Sequence, residues 1–255
     1  MKKIFFLFFL LPLVFLSLCY SQSTSTQPGL PLPELNISLR QTDNPSEFTS
    51  TLQVFIILTV LSIAPSFLIM MTSFTRFIVV FSFLRQGLAI PQIPPNQVLA
   101  GLALFLTFFV MAPIIKSINE EALQPYLTSE IGQREAFEKA LSPIRDFMLR
   151  QTRTDDIQLM QRLSGLDSIE SKADLPTHVL IPSFIISELT TAFTIGFLLF
   201  IPFLVIDMVV ASILMAMGML MVPPISISLP FKILLFVLVD GWNLLIYSLV
   251  SGIKG

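Results

Sequence analysis

The sequence predicts an all-α, polytopic helical membrane protein built from kinked helical hairpins, and three observations carry that prediction. Of the 255 residues, 54% are hydrophobic and only 13% charged, whereas a soluble domain of this size needs more charge to cover its surface. Mean hydropathy is +0.81, and apolar tracts near or above the roughly 20 residues that cross a bilayer recur along the chain. The longest tract, residues 182–229, is interrupted by Glu188, Asp207, the run MAMGMLM and a double proline. Ionisable groups and helix breakers at bilayer depth face protein or a water-filled cavity, so the tract belongs to a helix assembly rather than a simple anchor.

Residues 1–21 open with Lys2 and Lys3 and continue as IFFLFFLLPLVFLSL, the pattern of a cleaved secretory signal peptide. An uncleaved first span is the alternative, and bulky Leu18 before Cys19 argues against a lipobox. Residues 22–50, rich in Ser, Thr, Pro and Gln, are expected as an extended periplasmic tail; Asn36 there heads a glycosylation triplet that occurs often by chance.

Residues 51–113 form the first membrane-type hairpin. A span over 52–71 carries Pro65 as a kink. The following stretch is too polar at Arg76 and Arg85 for an ordinary span and too apolar for a free loop, which suits an amphipathic helix at the interface or inside an assembly. Pro94 and Pro95 end it, and a short arm over 98–113 follows, where Gly101 and Ala103 permit close helix approach. Residues 114–181 hold more than half of the charged residues and are expected as a mostly helical periplasmic domain, with Phe137, Leu141, Ile144 and Met148 at helical spacing. Residues 182–255 form the second hairpin, with spans over 184–206 and 229–250. Placing Arg76, Arg85 and Lys232 in the cytoplasm gives four crossings with both ends outside, and Lys254 then counts against the positive-inside bias.

Each intramembrane carboxylate has a plain reading beside a functional one. Glu188 caps or meets the interface near the outer end of its span, or contacts another subunit. Asp207 falls where its span should end and reads as interfacial. Asp240 sits near the centre of FKILLFVLVDGWNLLIYSL, where an unpaired charge is costly; a buried contact to a neighbouring copy or a proton relay would answer it. Met217, Met219 and Met221 fill core space in one copy, or form a flexible apolar collar when several copies surround an axis.

Enzyme signatures are missing from the sequence: His178 is the lone histidine, no HExxH or nucleotide-binding glycine loop occurs, and Asp207 and Asp240 lie at different expected depths for an aspartyl protease pair. No metal or cofactor is expected. Thioether copper binding lacks a supporting Cys or His. The net charge of −2 offers no basic face for nucleic acid. Cys19 is the only cysteine, so no disulfide framework exists.

The strings TSFTRFIVV, FLRQGLAIPQIPPNQVLAGLALFLTFFVMAP, FIISELTTAFTIGFLLFIPFLVIDMVVASILMAMGMLMVPP and ISLPFKILLFVLVDGWNLL closely resemble the FliP family of flagellar type III export-gate proteins and its injectisome counterparts. The resemblance implies a subunit of which several copies assemble, with FliQ-like and FliR-like membrane proteins and beside FlhB-like and FlhA-like gate components, into a helical conical channel. That channel would sit at the centre of the flagellar basal body in the bacterial inner membrane, largely on the periplasmic side. It would pass unfolded rod, hook and filament subunits. The family's pore gasket falls by motif on Met217, Met219, Leu220 and Met221, with Leu220 where many relatives carry methionine. Arg76, Arg85, Glu188, Asp207, Lys232 and Asp240 become structural or intersubunit contacts, and Pro94, Pro95, Pro223 and Pro224 become turns that set helix angles. A non-conducting assembly scaffold and a proton-coupled secondary transporter are the competing readings.

Overall fold

A computed structural model describes residues 45–165, 174–219 and 221–254. The expected signal peptide, most of the tail and Leu220 lie outside the described residues. The chain divides into two compact units, Met1–Leu52 and Gln53–Gly255; of the first, only the opening turns of a helix are described.

Every regular element among the described residues is helical. We number them α1 (Pro45–Met70), α2 (Phe74–Gly87), α3 (Asn96–Ile118), α4 (Gln124–Leu127), α5 (Gln133–Gln151), α6 (Thr154–Ser164), α7 (Thr177–Ala216), α8 (Pro224–Leu238) and α9 (Gly241–Lys254). A π turn over Asn119–Leu123 joins α3 to α4. It ends two residues before Pro125, which has no N–H to donate to the preceding turn.

The centre of the second unit is α2. Phe77, Val80, Phe81 and Leu84 recur at the i, i+3, i+4, i+7 spacing of one helical face, and all are buried. Its most extensive contact is with α7, and α3 flanks it. Leu99 and Ala103 of α3, Val179, Leu180 and Phe184 of α7, Met148 of α5 and Leu249 of α9 complete the core. Aromatic edges key the layers together: Phe81 against Trp242 at 6.3 Å, Phe147 against Phe184 at 5.8 Å, and Phe83 against Phe193 at 5.2 Å.

The helix lengths depart from the sequence expectation. Among the described residues two helices are long and apolar enough to cross a membrane, the continuous Asn96–Leu127 and Thr177–Ala216, or three if the bent pair α8 and α9 counts as one. Four separate spans were expected. The short arm over 98–113 does not stop at Pro113, which lies inside α3, and α7 runs 40 residues through Pro182 and Pro202. The expected boundaries at 113/114 and 181/182 therefore fall within continuous helices. Over 229–250 a single span was expected, but the helix breaks between α8 and α9 with a 62° bend. At about 1.5 Å per residue α7 is roughly 60 Å long, twice the hydrocarbon thickness, so part of it must tilt or lie beyond the bilayer.

Hydroxyls along α7 turn back on the helix itself. Ser183, Thr190, Thr194 and Ser212 each donate to the carbonyl four residues earlier, which satisfies them in an apolar setting. In α5 the expected apolar face is buried at Met148 but Phe137 is 64% exposed, because the later turns of this helix carry the contact with α7, through Phe147. The outer faces of α7 and α8 and the whole described length of α1 expose large apolar side chains, surfaces that require lipid or another protein chain.

Gly196 lets α2 and α7 meet. A Cβ there would stand 2.5 Å from Cγ of Phe83, so Gly196→Val must displace that ring and loosen the main helix contact. The expected loss is about 1–3 kcal/mol, measured as a lowered melting temperature in detergent micelles.

Candidate functional site

Three features gather the residues singled out in the sequence: a buried ion pair at the start of α2, a second clasp at its end, and the methionine loop between α7 and α8.

At the start of α2, the Arg76 guanidinium is 4% and Glu188 1% exposed. Nε of Arg76 donates to Oε2 of Glu188 at 2.9 Å, and Nη2 contacts Oε1 of the same carboxylate, so the pair is bidentate. Nη2 also donates to Oε1 of Gln151 at 3.0 Å, while Nε2 of Gln151 donates to the carbonyl of Ile253 at 3.0 Å. One side chain of α5 thereby links the ion pair to the last turn of α9. Beside it, Ser187 donates to Oδ2 of Asp156 at 2.6 Å and accepts from the Arg153 amide at 3.0 Å, tying α6 to α7. The contact corrects the expected topology: Arg76 cannot lie on the cytoplasmic side while Glu188 lies at the outer end, because the two groups touch.

At the end of α2, Nζ of Lys232, 3% exposed, donates to Oδ2 of Asp207 at 2.6 Å and to the carbonyl of Gly87 at 3.2 Å. Oδ1 of Asp207 accepts from Ser228 at 2.5 Å. The ammonium thus meets a last-turn carbonyl at the negative end of the helix dipole. Asp207 is therefore held between α7 and α8 and does not simply rest at an interface. Gly87 has Phe203 against its open face, where a Cβ would approach to 2.7 Å.

Arg85 lies in the same last turn of α2 and donates through Nη1 to the carbonyl of Pro94 at 3.2 Å and to Oδ1 of Asn96 at 2.6 Å. It thereby holds the turn that leads into α3, in which the Ile93–Pro94 bond is cis and Pro95 precedes the first helical residue. Pro223 and Pro224 stand one position further into α8, with Pro223 as its cap and Pro224 opening the helix, as suits a residue with fixed φ and no N–H.

The methionine loop begins where α7 closes. The Gly218 amide donates to Met215 and the Met219 amide to Leu214, each at 3.0 Å, with Gly218 at φ +76. This paired bonding around a left-handed glycine ends the helix and turns the chain. Met217, Met219 and Met221 are 66%, 41% and 98% exposed, and the loop is fixed on one side by that cap and on the other by the proline pair.

Asp240 stands apart from these features. It is exposed, lies at φ +49 and separates α8 from α9; its amide donates to Val237 at 3.1 Å and its carbonyl accepts from Leu244 at 3.1 Å. Asp is among the few side chains that adopt this left-handed backbone readily. His178 is exposed, and among the described residues no group of three or more His, Cys, Asp or Glu side chains could hold a metal ion. Sequence reasoning had no signal for Gln151, Ser187 or Ser228, since uncharged polar residues are too common to stand out, nor for Asp156, one carboxylate among many in the hydrophilic region.

The family model described as the FliP family matches residues 57–249. The flagellar biosynthetic protein FliP of Bacillus subtilis (strain 168) is 54% identical over 215 residues, covering 84% of this chain and 97% of that protein. FliP of Borreliella burgdorferi is 44% identical over 254 residues, covering 98% of this chain and 99% of its own length. FliP of Pectobacterium carotovorum is 54% identical over 204 residues, covering 80% and 79%.

Truncating one partner of the bidentate pair leaves the other charge buried alone. Arg76→Ala or Glu188→Ala should each cost about 3–5 kcal/mol, and the paired replacement Arg76→Leu with Glu188→Leu less than either. Thermal unfolding of the detergent-solubilised chain measures all three.

Proposed function

The chain belongs to the FliP family, and from that premise we propose that it is a core channel subunit of the flagellar type III protein export gate. Its place in flagellar export and its apolar helices of membrane-spanning length follow from family and fold; the family is one of export-gate components, not enzymes. The finer reading is that several copies assemble with FliQ-like and FliR-like partners, beside FlhB-like and FlhA-like components, into a helical conical channel in the inner membrane. Much of that assembly would lie on the periplasmic side at the centre of the basal body, and unfolded rod, hook and filament subunits would pass through it.

The single observation that supports this reading is the exposed methionine loop. In a lone chain, exposing Met217, Met219 and Met221 between two rigid caps wastes apolar area. Around an axis formed by several copies, the same unbranched side chains would meet as a soft collar, closing against water and ions yet yielding to an extended polypeptide. Gly218 and the proline pair would fix where the loop sits, leaving compliance to the methionine side chains. Leu220 would add volume to the same ring with less flexibility. The exposed apolar faces of α7 and α8 supply area for contact between copies.

Replacing Met217, Met219 and Met221 together by alanine removes the collar without touching either ion pair. The expected outcome is assembly retained with a marked rise in ion leak, read as conductance across a membrane holding the gate. Retained assembly with unchanged conductance would favour the scaffold reading.

A further inference from the structure

The apolar segments over 52–113 and 182–250 carry Arg76, Arg85, Glu188, Asp207, Lys232 and Asp240 and no other charged side chain. Four of the six neutralise each other as Arg76 with Glu188 and Lys232 with Asp207. The remaining two, Arg85 and Asp240, have opposite sign, and neither belongs to an ion pair among the described residues. We propose that Arg85 of one copy pairs with Asp240 of a neighbouring copy of this chain, an ion pair between subunits that sets their relative height.

Arg85 is positioned but not neutralised. Its Nη1 is held by the carbonyl of Pro94 and the amide oxygen of Asn96, both uncharged acceptors, and its Nε is buried with no hydrogen-bond partner. A guanidinium fixed in this way presents its remaining donors in one direction at little further entropic cost. Asp240 is complementary. Its backbone performs the break between α8 and α9 through its amide and carbonyl, so the carboxylate is not used by the turn. Asparagine or glycine would serve that backbone equally well.

The same two contacts between α2 and the α8–α9 pair bracket both groups. Phe81 of α2 meets Trp242 of α9, and Gly87 of α2 meets Lys232 of α8. Arg85 falls between the first members of these contacts along the chain, and Asp240 between the second. An exposed carboxylate on an otherwise apolar face is costly beside lipid and favourable beside a fixed cation.

The inference rests on the reading that several copies assemble, and the test separates the two. Full-length protein in native membranes, with Cys19→Ser to remove the native thiol, carries Arg85→Cys together with Asp240→Cys and is treated with a bis-maleimide reaching about 10 Å, because an Arg–Asp contact holds the two Cα atoms beyond the roughly 7 Å limit of a direct disulfide; each single-cysteine variant is the control. Covalent dimers and higher multimers on a non-reducing gel are expected; monomer alone overturns the pair. In parallel, Asp240→Asn keeps the left-handed turn and removes only the charge. The oligomeric fraction on a native gel should fall by about tenfold or more if a desolvated pair is broken, and wild-type assembly by this variant also overturns it. Wild-type protein that stays monomeric contradicts the assembly reading itself, whereas normal wild-type assembly without cross-linking removes only the ion pair.

Discussion

The fold depends on neutralising charge inside an apolar helix assembly. Helix α2 buries one face along its length while carrying a buried arginine at its first turn, and a guanidinium in that setting is tolerable only with a carboxylate in bidentate contact. Glu188 supplies it from α7. The opposite end of α2 raises the complementary problem, since its last-turn carbonyls carry partial negative charge, and Lys232 meets one of them while Asp207 balances the lysine. The helix is fastened at both ends by charge and along its middle by Phe77, Val80, Phe81 and Leu84.

These fastenings reach beyond α2. Asp207, Ser228 and Lys232 close the α7–α8 hairpin behind the methionine loop, so the loop is carried on a stem tied to the core. Gln151 and the Ser187–Asp156 contact join the polar helices α5 and α6 and the last turn of α9 to the Arg76–Glu188 pair. Hydrophilic and apolar parts are thereby one packed body within the second unit, and their junction is made of side-chain hydrogen bonds that a hydropathy profile does not see.

The helical class, an amphipathic helix carrying Arg76 and Arg85 and its end before Pro94 and Pro95 were legible in the sequence because each rests on local chemistry: spacing, a missing N–H, a fixed φ. Helix continuity was not. Pro113 and Pro182 read as boundaries, yet neighbouring helices support the backbone through both positions. Asp240 read as a charge within a span because a hydropathy window averages over the break, whereas its effect comes from a left-handed φ at one residue. The charged residues themselves were all visible. Their partners were not, since 112 positions separate Arg76 from Glu188 and 25 separate Asp207 from Lys232, and only the fold brings them together.

The account turns on the clasp at the end of α2, and a double-mutant cycle on Asp207→Asn and Lys232→Met tests it most directly. Unfolding of the four proteins in detergent should give a coupling of about 1–3 kcal/mol between the two positions. Additivity within about 0.5 kcal/mol would mean that the two groups do not interact and that charge does not hold the hairpin to the core.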